Sequence, residues 1–284
     1  MIQRKNTNAI CKYGYNPEAE ACYNEEKRIE THGGHLMQLH MVLTAPKIIL
    51  PVSYRHLIHG MIYRALSVDA RFSAHLHNRG HAGGKRVFKH FTFGQLEGRY
   101  RVQEGWIIFA GKAALEIRSS DAQLMEMLTQ QLFAGRRIRL GENSVEIADS
   151  TMTDRHLLVL DTEIRMRSPA AAHITLPDGH TRFFSPDEDA YYAALVRNAE
   201  RKWSSLGGAE ERFVLQITPK ENEVFKKQVS RFKHTCITGW QGVFRLSGAP
   251  EVLDMLYQLG LGEKSSQGFG MFDAVEKTVL INVE

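Results

Sequence analysis

From Met37 onward the chain changes its apolar period in a fixed order, and that order limits what it can fold into. Gln38 to Thr44 alternates apolar and polar side chains, as a half-buried strand does. Tyr54 to Ser67 instead repeats at three- and four-residue spacing, so that Leu57, Ile58, Met61, Ile62 and Ala65 form one stripe on a helix. A short helix over Asp69 to His77 follows, then strands over Val87 to Phe93 and Trp106 to Lys112. A helix over Asp121 to Phe133 and a strand over Arg137 to Ile147 end the series. Ser119, Ser120 or Asp121 can cap the second long helix, and Gly135 can end it. The order βαββαβ is the ferredoxin-like, RRM-like pattern.

A second series begins after Asp149 to Asp154. It comprises a strand over Leu157 to Met166, a hairpin over His173 to Phe184 turning at Pro177-Asp178-Gly179, and a helix over Asp187 to Leu206. Strands over Phe213 to Thr218, Val224 to Lys233 and Ile237 to Leu246, a helix over Pro250 to Leu259 and a strand over Met271 to Val283 complete it. The expected class is α+β, with two tandem ferredoxin-like domains side by side at residues 37–150 and 151–284. The two halves repeat in topology, not in sequence. Residues 1–36 lack apolar periodicity and are expected to be a flexible N-terminal extension. Cys11, Cys22, His32 and His35 lie there, but the gap between the cysteines fits no common zinc spacing.

The balance of 36 Lys and Arg against 32 Asp and Glu gives a net charge of only +4, so attraction for nucleic acid has to come from local clusters. Three scattered cysteines form no disulfide framework and point to a reducing, cytoplasmic compartment. No apolar run approaches the roughly 20 residues that cross a bilayer, and no membrane partner is expected.

The segment Gly260-Leu261-Gly262-Glu263-Lys264-Ser265-Ser266-Gln267-Gly268-Phe269-Gly270 carries the strongest chemical signal. Its glycines let backbone N–H groups approach an anionic backbone, with Lys264, Ser265 and Ser266 between them. A P-loop requires Gly-Lys-Ser/Thr, and here Glu263 intervenes; a dinucleotide fingerprint has Ser265 where its third glycine belongs. A plain connector explains Gly and Ser, but not Leu261 and Phe269 each held between two glycines.

This pair of Gly-hydrophobic-Gly steps around a basic spacer, near the end of a two-unit chain, resembles the signature loop of the CRISPR-associated RAMP superfamily. In its arrangement it is most similar to the repeat-RNA-processing endoribonucleases. The resemblance extends over residues 37–282 in the order of elements and is strongest again at Leu76-His77, Gly80 and Phe88-Lys89-His90-Phe91-Thr92-Phe93. It implies a metal-independent cut of CRISPR repeat transcripts, with no cofactor, by attack of a 2′-hydroxyl that leaves a 2′,3′-cyclic or 3′-phosphate and a 5′-hydroxyl. Position by position, it places His77 as general base, Tyr63 as the helical catalytic tyrosine and Lys89 as the cation beside the phosphorus. His75, His81 and His90 lie close by, and His81 is the substitute if His77 turns inward.

Further basic residues suggest the path of the RNA. Arg86, with Lys85 and Lys89, flanks the candidate site; Lys226, Lys227, Arg231, Lys233 and His234 run along extended backbone toward Trp240. Such a row can follow phosphates while Trp240 or Phe232 stacks a base. Arg136, Arg137 and Arg139 form a third group. The expected partners are repeat RNA and subunits of a CRISPR effector complex, without DNA. One rival is a catalytically silent RAMP subunit holding guide RNA, which has no need of the Leu76 to Phe93 pattern. Another is a tandem RNA-recognition-motif protein, whose stacking strand would carry more Gly and aromatic residues than Lys89-His90-Phe91-Thr92-Phe93.

Overall fold

The computed structural model of the chain describes residues 37–67, 81–83, 86–135, 137–232, 235–276 and 280–282. The expected extension at 1–36, the short helix over Asp69 to His77, and Lys85, Arg136, Lys233 and His234 lie outside them.

The first half is built on β1 (Met37–Thr44), β2 (Ile48–Pro51), α1 (Arg55–Leu66), β3 (His81–Gly83), β4 (Arg86–Phe88) and β5 (Phe91–Phe93). These are followed by β6 (Tyr100–Gln103), β7 (Trp106–Phe109), β8 (Lys112–Ser119), α2 (Ala122–Phe133), β9 (Arg137–Leu140) and β10 (Asn143–Thr153). The main sheet runs β5-β8-β1-β10-β9, antiparallel throughout. Alternation decides which face is covered: Leu39, Met41 and Leu43 of β1 and Ala113, Leu115 and Ile117 of β8 are buried, while His40 between them is exposed. Onto that face α1 lays Ile58, Met61, Ile62 and Leu66, and α2 lays Leu124, Met125, Leu128 and Leu132, each set at helical spacing. Each such side chain contributes about 1.5–3 kcal/mol by leaving water. The Asp121 carboxylate accepts a hydrogen bond from the Leu124 N–H at 3.0 Å, capping α2.

The second half comprises β11 (Arg155–His156), β12 (Asp161–Met166), β13 (His173–Thr175), β14 (Thr181–Phe183), α3 (Asp189–Ser205) and β15 (Leu215–Pro219). Then come β16 (Lys226–Phe232), β17 (Thr235–Gln241), β18 (Val243–Gly248), α4 (Pro250–Leu259), β19 (Phe272–Ala274) and β20 (Ile281–Asn282). Its main sheet runs β15-β18-β12-β19, again antiparallel. Counting only the strands that alternate with the long helices, both sheets have the order second, third, first, fourth.

Several expected strands are two, and in each case a backbone event divides them. Trp106 to Lys112 turns at Gly111, whose φ is +86°; β7 joins β2 and β6 in a small side sheet, while the strand of the main sheet is Lys112–Ser119. Arg137 to Ile147 is a hairpin that turns at Gly141, φ +60°. Val87 to Phe93 breaks at Lys89-His90, where His90 takes φ +43°. Ile237 to Leu246 divides at Gly242 into β17, which forms a hairpin with β16, and β18 of the main sheet. Leu157 to Met166 is strand only from Asp161, as β12, and Met271 to Val283 holds two strands, β19 in the main sheet and β20, which pairs with β11 just ahead of the expected range.

Arg118 ties the halves together although it is only 1% exposed. It donates to the Phe272 carbonyl at 2.7 Å, to Asp273 Oδ1 at 2.7 Å and to Glu116 Oε1 at 2.6 Å, and lies 4.0 Å from the centre of the Tyr257 ring. Arg167 pairs with the same Glu116 and Asp273. Burial alone would raise the Glu116 carboxyl, but Arg118 and Arg167 more than offset it and hold the group at about 2.

Candidate active site

Four glycines give the loop between α4 and β19 a path that other residues cannot follow. At Gly268, φ is +84° and an added Cβ would lie 2.4 Å from the Phe93 ring; at Gly270, φ is +81° and it would lie 2.3 Å from the Leu261 carbonyl oxygen. The two Gly-hydrophobic-Gly steps are pinned to each other by the Leu261 N–H, which donates to the Gly270 carbonyl at 2.8 Å. Leu261 and Phe269 are fully buried and anchor the two arms.

Side chains from three other elements grip this loop. Arg55, at the start of α1, donates from Nε to the Gly268 carbonyl at 3.1 Å and from Nη1 to Ser230 Oγ at 2.6 Å, with its guanidinium 4.9 Å from the centre of the Phe269 ring. Thr92 of β5 donates to the Phe269 carbonyl at 3.2 Å. From α3, Lys202 Nζ donates to the Gly260 carbonyl at 2.7 Å, the Gly262 carbonyl at 2.8 Å and Ser265 Oγ at 2.9 Å. Lys202 is 3% exposed, and burial pushes its amine down to about 7, against the opposing pull of Glu263.

The arrangement corrects one expectation about the glycines. Gly260, Gly262, Gly268 and Gly270 are buried, and the N–H groups of Gly260, Gly268 and Gly270 donate to the carbonyls of Leu256, Ser265 and Pro169. Those three amides are spent inside the protein, and the contribution of the four glycines is the path itself. That path sets Lys264, Ser265 and Ser266, all half-buried, along a cavity of about 470 Å³.

Across the cavity stands the break between β4 and β5. Lys89 and His90 line it from the first half, and Asn198, Lys202 and His173 line it from the second. His90 holds its left-handed turn through two contacts: its Nε2 lies 2.8 Å from Ser205 Oγ, and its carbonyl accepts from Ser119 Oγ at 2.7 Å. Partial burial pushes the Lys89 amine down. The structure thus brings Lys89 to Lys264, Ser265 and Ser266, residues some 175 positions away in the chain.

The other expected site residues fall as follows. Tyr63 is not part of the cavity wall: its ring stacks on His59 at 4.3 Å and lies 6.4 Å from that of Phe91, a lining residue, and burial pushes its phenol up to about 12. His75 and His77 lie outside the described residues; of Arg86 and His81 the structure describes the strand backbone. Lys226, Lys227 and Arg231 are exposed on β16, but alternation divides them. Lys227 and Arg231 share one face, while Lys226 is on the face that ends in buried Phe232. Phe232 packs edge-on against His59 at 5.3 Å, which corrects its expected role as a base-stacking ring. Trp240 is half-buried, with its Nε1 donating to the Phe184 carbonyl at 3.1 Å and its ring 5.9 Å from Lys227 Nζ. Among the described residues, no group of three or more His, Cys, Asp or Glu could hold a metal ion. Among them too, no helix is long and apolar enough to cross a membrane.

Lys202 and Asn198 were missed by the sequence reading, yet they leave a trace there. Both fall on the stripe of α3 that buries Tyr191, Ala194, Leu195 and Ala199, where apolar residues belong.

Residues 157–274, which include the whole glycine loop, match the family model described as CRISPR associated protein Cas6, C-terminal. The CRISPR-associated endoribonuclease Cas6 1 of Methanocaldococcus jannaschii is 27% identical over 241 residues, which make up 80% of this chain and 88% of that protein. The CRISPR-associated endoribonuclease Cas6 of Pyrococcus furiosus is 21% identical over 227 residues, or 78% and 82% of the two chains. A solved structure of a Cas6-related gene product from Pyrococcus furiosus superposes with a TM-score of 0.74 at 19% identity, covering 85% of this chain and 99% of that one.

Proposed function

We propose, from the premise that this chain belongs to the Cas6 family of CRISPR-associated proteins, that it is an endoribonuclease that binds CRISPR repeat transcripts and cuts them into guide RNAs. One observation carries the reading: the glycine loop and the β4–β5 break, remote in sequence, form one cavity with three lysines, Lys89, Lys202 and Lys264, against one carboxylate, Glu263. Such a surface suits a phosphodiester.

In this reading residues 37–150 and 151–284 are two ferredoxin-like domains, residues 1–36 are an extension, and the protein works in the cytoplasm. The RNA lies along Lys264, Ser265 and Ser266, with Arg86, Lys226, Lys227, Arg231 and Lys233 following its backbone. His77 takes the proton of the 2′-hydroxyl, whose oxygen attacks the adjacent phosphorus. Lys89 stabilises the charge on the phosphorane oxygens, and Tyr63 acts from the helix flank. The bond to the 5′-oxygen breaks, that oxygen takes a proton, and the products are a 2′,3′-cyclic phosphate and a 5′-hydroxyl. The chemistry is balanced without a metal ion. Effector-complex subunits are the further partners proposed.

The test is incubation of the full chain with end-labelled repeat RNA in EDTA. Cleavage should continue, and His77→Ala should slow single-turnover cleavage by about 10²- to 10⁴-fold while leaving RNA affinity near the parent's. Cleavage abolished by EDTA and restored by magnesium would sink the mechanism. RNA binding without any cleavage would leave the silent, guide-holding subunit as the reading.

A further inference from the structure

His90 takes φ +43°, a conformation that a residue with a side chain keeps only where its surroundings hold it. The alternation around it shows what the turn achieves. In an unbroken strand Lys89, Phe91 and Phe93 would share a face. Phe91 and Phe93 are 1% and 0% exposed, in the core of the first half. A straight run would turn Lys89 toward that core. The left-handed residue after it takes Lys89 off the face and leaves it half-buried on the cavity wall that Lys264 and Ser266 also line.

Two serines hold the turn, one from each half. Ser119, at the end of β8, donates its hydroxyl to the His90 carbonyl at 2.7 Å. Ser205, the last residue of α3, has its Oγ 2.8 Å from His90 Nε2 and donates its own hydroxyl to the Lys202 carbonyl at 2.7 Å. A hydroxyl has one proton. With that proton given to Lys202, the Ser205 oxygen accepts, so His90 Nε2 carries a hydrogen and donates it. His90 is 5% exposed, which shelters the bond from water. Lys202 is also the residue whose amine grips the glycine loop. The turn that sets Lys89 and the loop that sets Lys264 are thus both referred to the same end of α3. On the reading of Lys89 as the group that stabilises the phosphorane, on which this rests, we infer that His90 and Ser205 are positioning residues for cleavage. The His90 ring, hung on Ser205 Oγ, fixes the turn that holds Lys89 at the reacting phosphate, and Ser205 acts from behind the residues that line the cavity.

The experiment uses the full chain and end-labelled repeat RNA, with single-turnover cleavage at saturating protein read beside affinity by filter binding. Ser205→Ala should slow cleavage by about five- to fiftyfold, the effect of a reacting group slightly misplaced, while affinity stays within about twofold of the parent's. Ser205→Thr, which keeps the hydroxyl, should restore the rate. On a Lys89→Ala background Ser205→Ala should have no further effect, because the group it positions is gone. If Ser205→Ala does not fold, His90→Asn tests the same tie, since asparagine tolerates left-handed backbone but is too short to reach Ser205. A parent-like rate in the folded variant overturns the inference. So does a loss of affinity that matches the loss of rate, or an effect that multiplies with that of Lys89→Ala, since Ser205 would then act on the fold or through another group. A parent that does not cleave, or Lys89→Ala that cleaves like the parent, overturns the proposed mechanism and this inference with it, and so is distinguishable from failure of the positioning step alone.

Discussion

Two buried sets of cations hold this molecule together, and they are satisfied in opposite ways. At the junction of the sheets, Arg118 and Arg167 meet the carboxylates of Glu116 and Asp273, so positive and negative charge cancel in place. At the glycine loop, Arg55 and Lys202 meet carbonyl and hydroxyl oxygens; among the described residues no carboxylate cancels the Arg55 charge, while burial brings the Lys202 amine down to about 7. The first arrangement fixes geometry and adds no field. The second fixes geometry without placing a carboxylate against Arg55, and the loop it holds carries Lys264 to a cavity that Lys89 also lines, which suits a surface that is to receive a polyanion. On the proposed function, the difference gives one junction to the fold alone and the other to fold and ligand together.

Removing Arg118 should have the largest effect. Arg118→Met strands the buried end of Glu116 beside Arg167 alone, and loss of one partner in a buried ion pair typically destabilises by about 3–5 kcal/mol. Chemical denaturation should show that loss, while the folded variant keeps the parent's salt slope for RNA binding; a changed slope would mean that this junction also meets RNA. Acid probes the same place. The folded Glu116 value of about 2 lies below its ordinary 4.5, so the pairing contributes fully above about pH 4.5 and is lost as pH falls toward 2. Glu116→Gln should therefore flatten the acid limb of the stability curve, and an unchanged limb would remove the junction from the acid response.

Gly270→Val should come next, at roughly 3 kcal/mol, because it combines a positive φ with a Cβ against the Leu261 carbonyl. Cleavage and RNA affinity should fall together, as read by filter binding on protein shown by circular dichroism to be folded. Lys202→Met leaves the Gly260 and Gly262 carbonyls without their donor, and should destabilise by about 1–3 kcal/mol and slow cleavage. If it melted lower with unchanged cleavage, Lys202 would belong with the Arg118 junction and the comparison would fail on that side. The smallest effect is expected from Lys264→Ala, which keeps the loop's path. Affinity should drop a few-fold, and the dependence of log affinity on log salt should flatten by about one phosphate contact.

The four long helices were legible because each repeats its apolar residues over about three turns or more, and α1, α2, α3 and α4 start and stop within about two residues of expectation. The strands were less so. An alternating pattern continues across a tight turn when the turn is a single glycine, so Gly111 and Gly141 each hid a boundary and β8 went unseen. His90 hid another, since nothing local marks a histidine with φ +43°. In the candidate site, the unusual composition of the glycine loop identified it, and the nearness of Lys89 followed from resemblance. The residues that grip the loop were hidden for a different reason. Nothing in the sequence marks Arg55, at the start of a helix, or Lys202, in a charged one, because the partners that explain them are backbone carbonyls far along the chain.

That distance has a consequence for when the cavity comes into being. Arg55 and Gly268 are 213 residues apart, and Thr92 and Phe269 are 177 apart. At about 5–20 residues per second of synthesis, roughly 10 to 40 seconds separate the emergence of the first residue of the clasp from that of the last. Through that interval a nascent chain can fold its first sheet, cover it with α1 and α2 and present Lys89, yet the wall that Lys89 faces has not been made. The cavity is therefore closed by translation itself: a chain stalled or truncated before Gly260 lacks the glycine-loop wall of the pocket and every partner that Arg55, Thr92 and Lys202 hold in that loop.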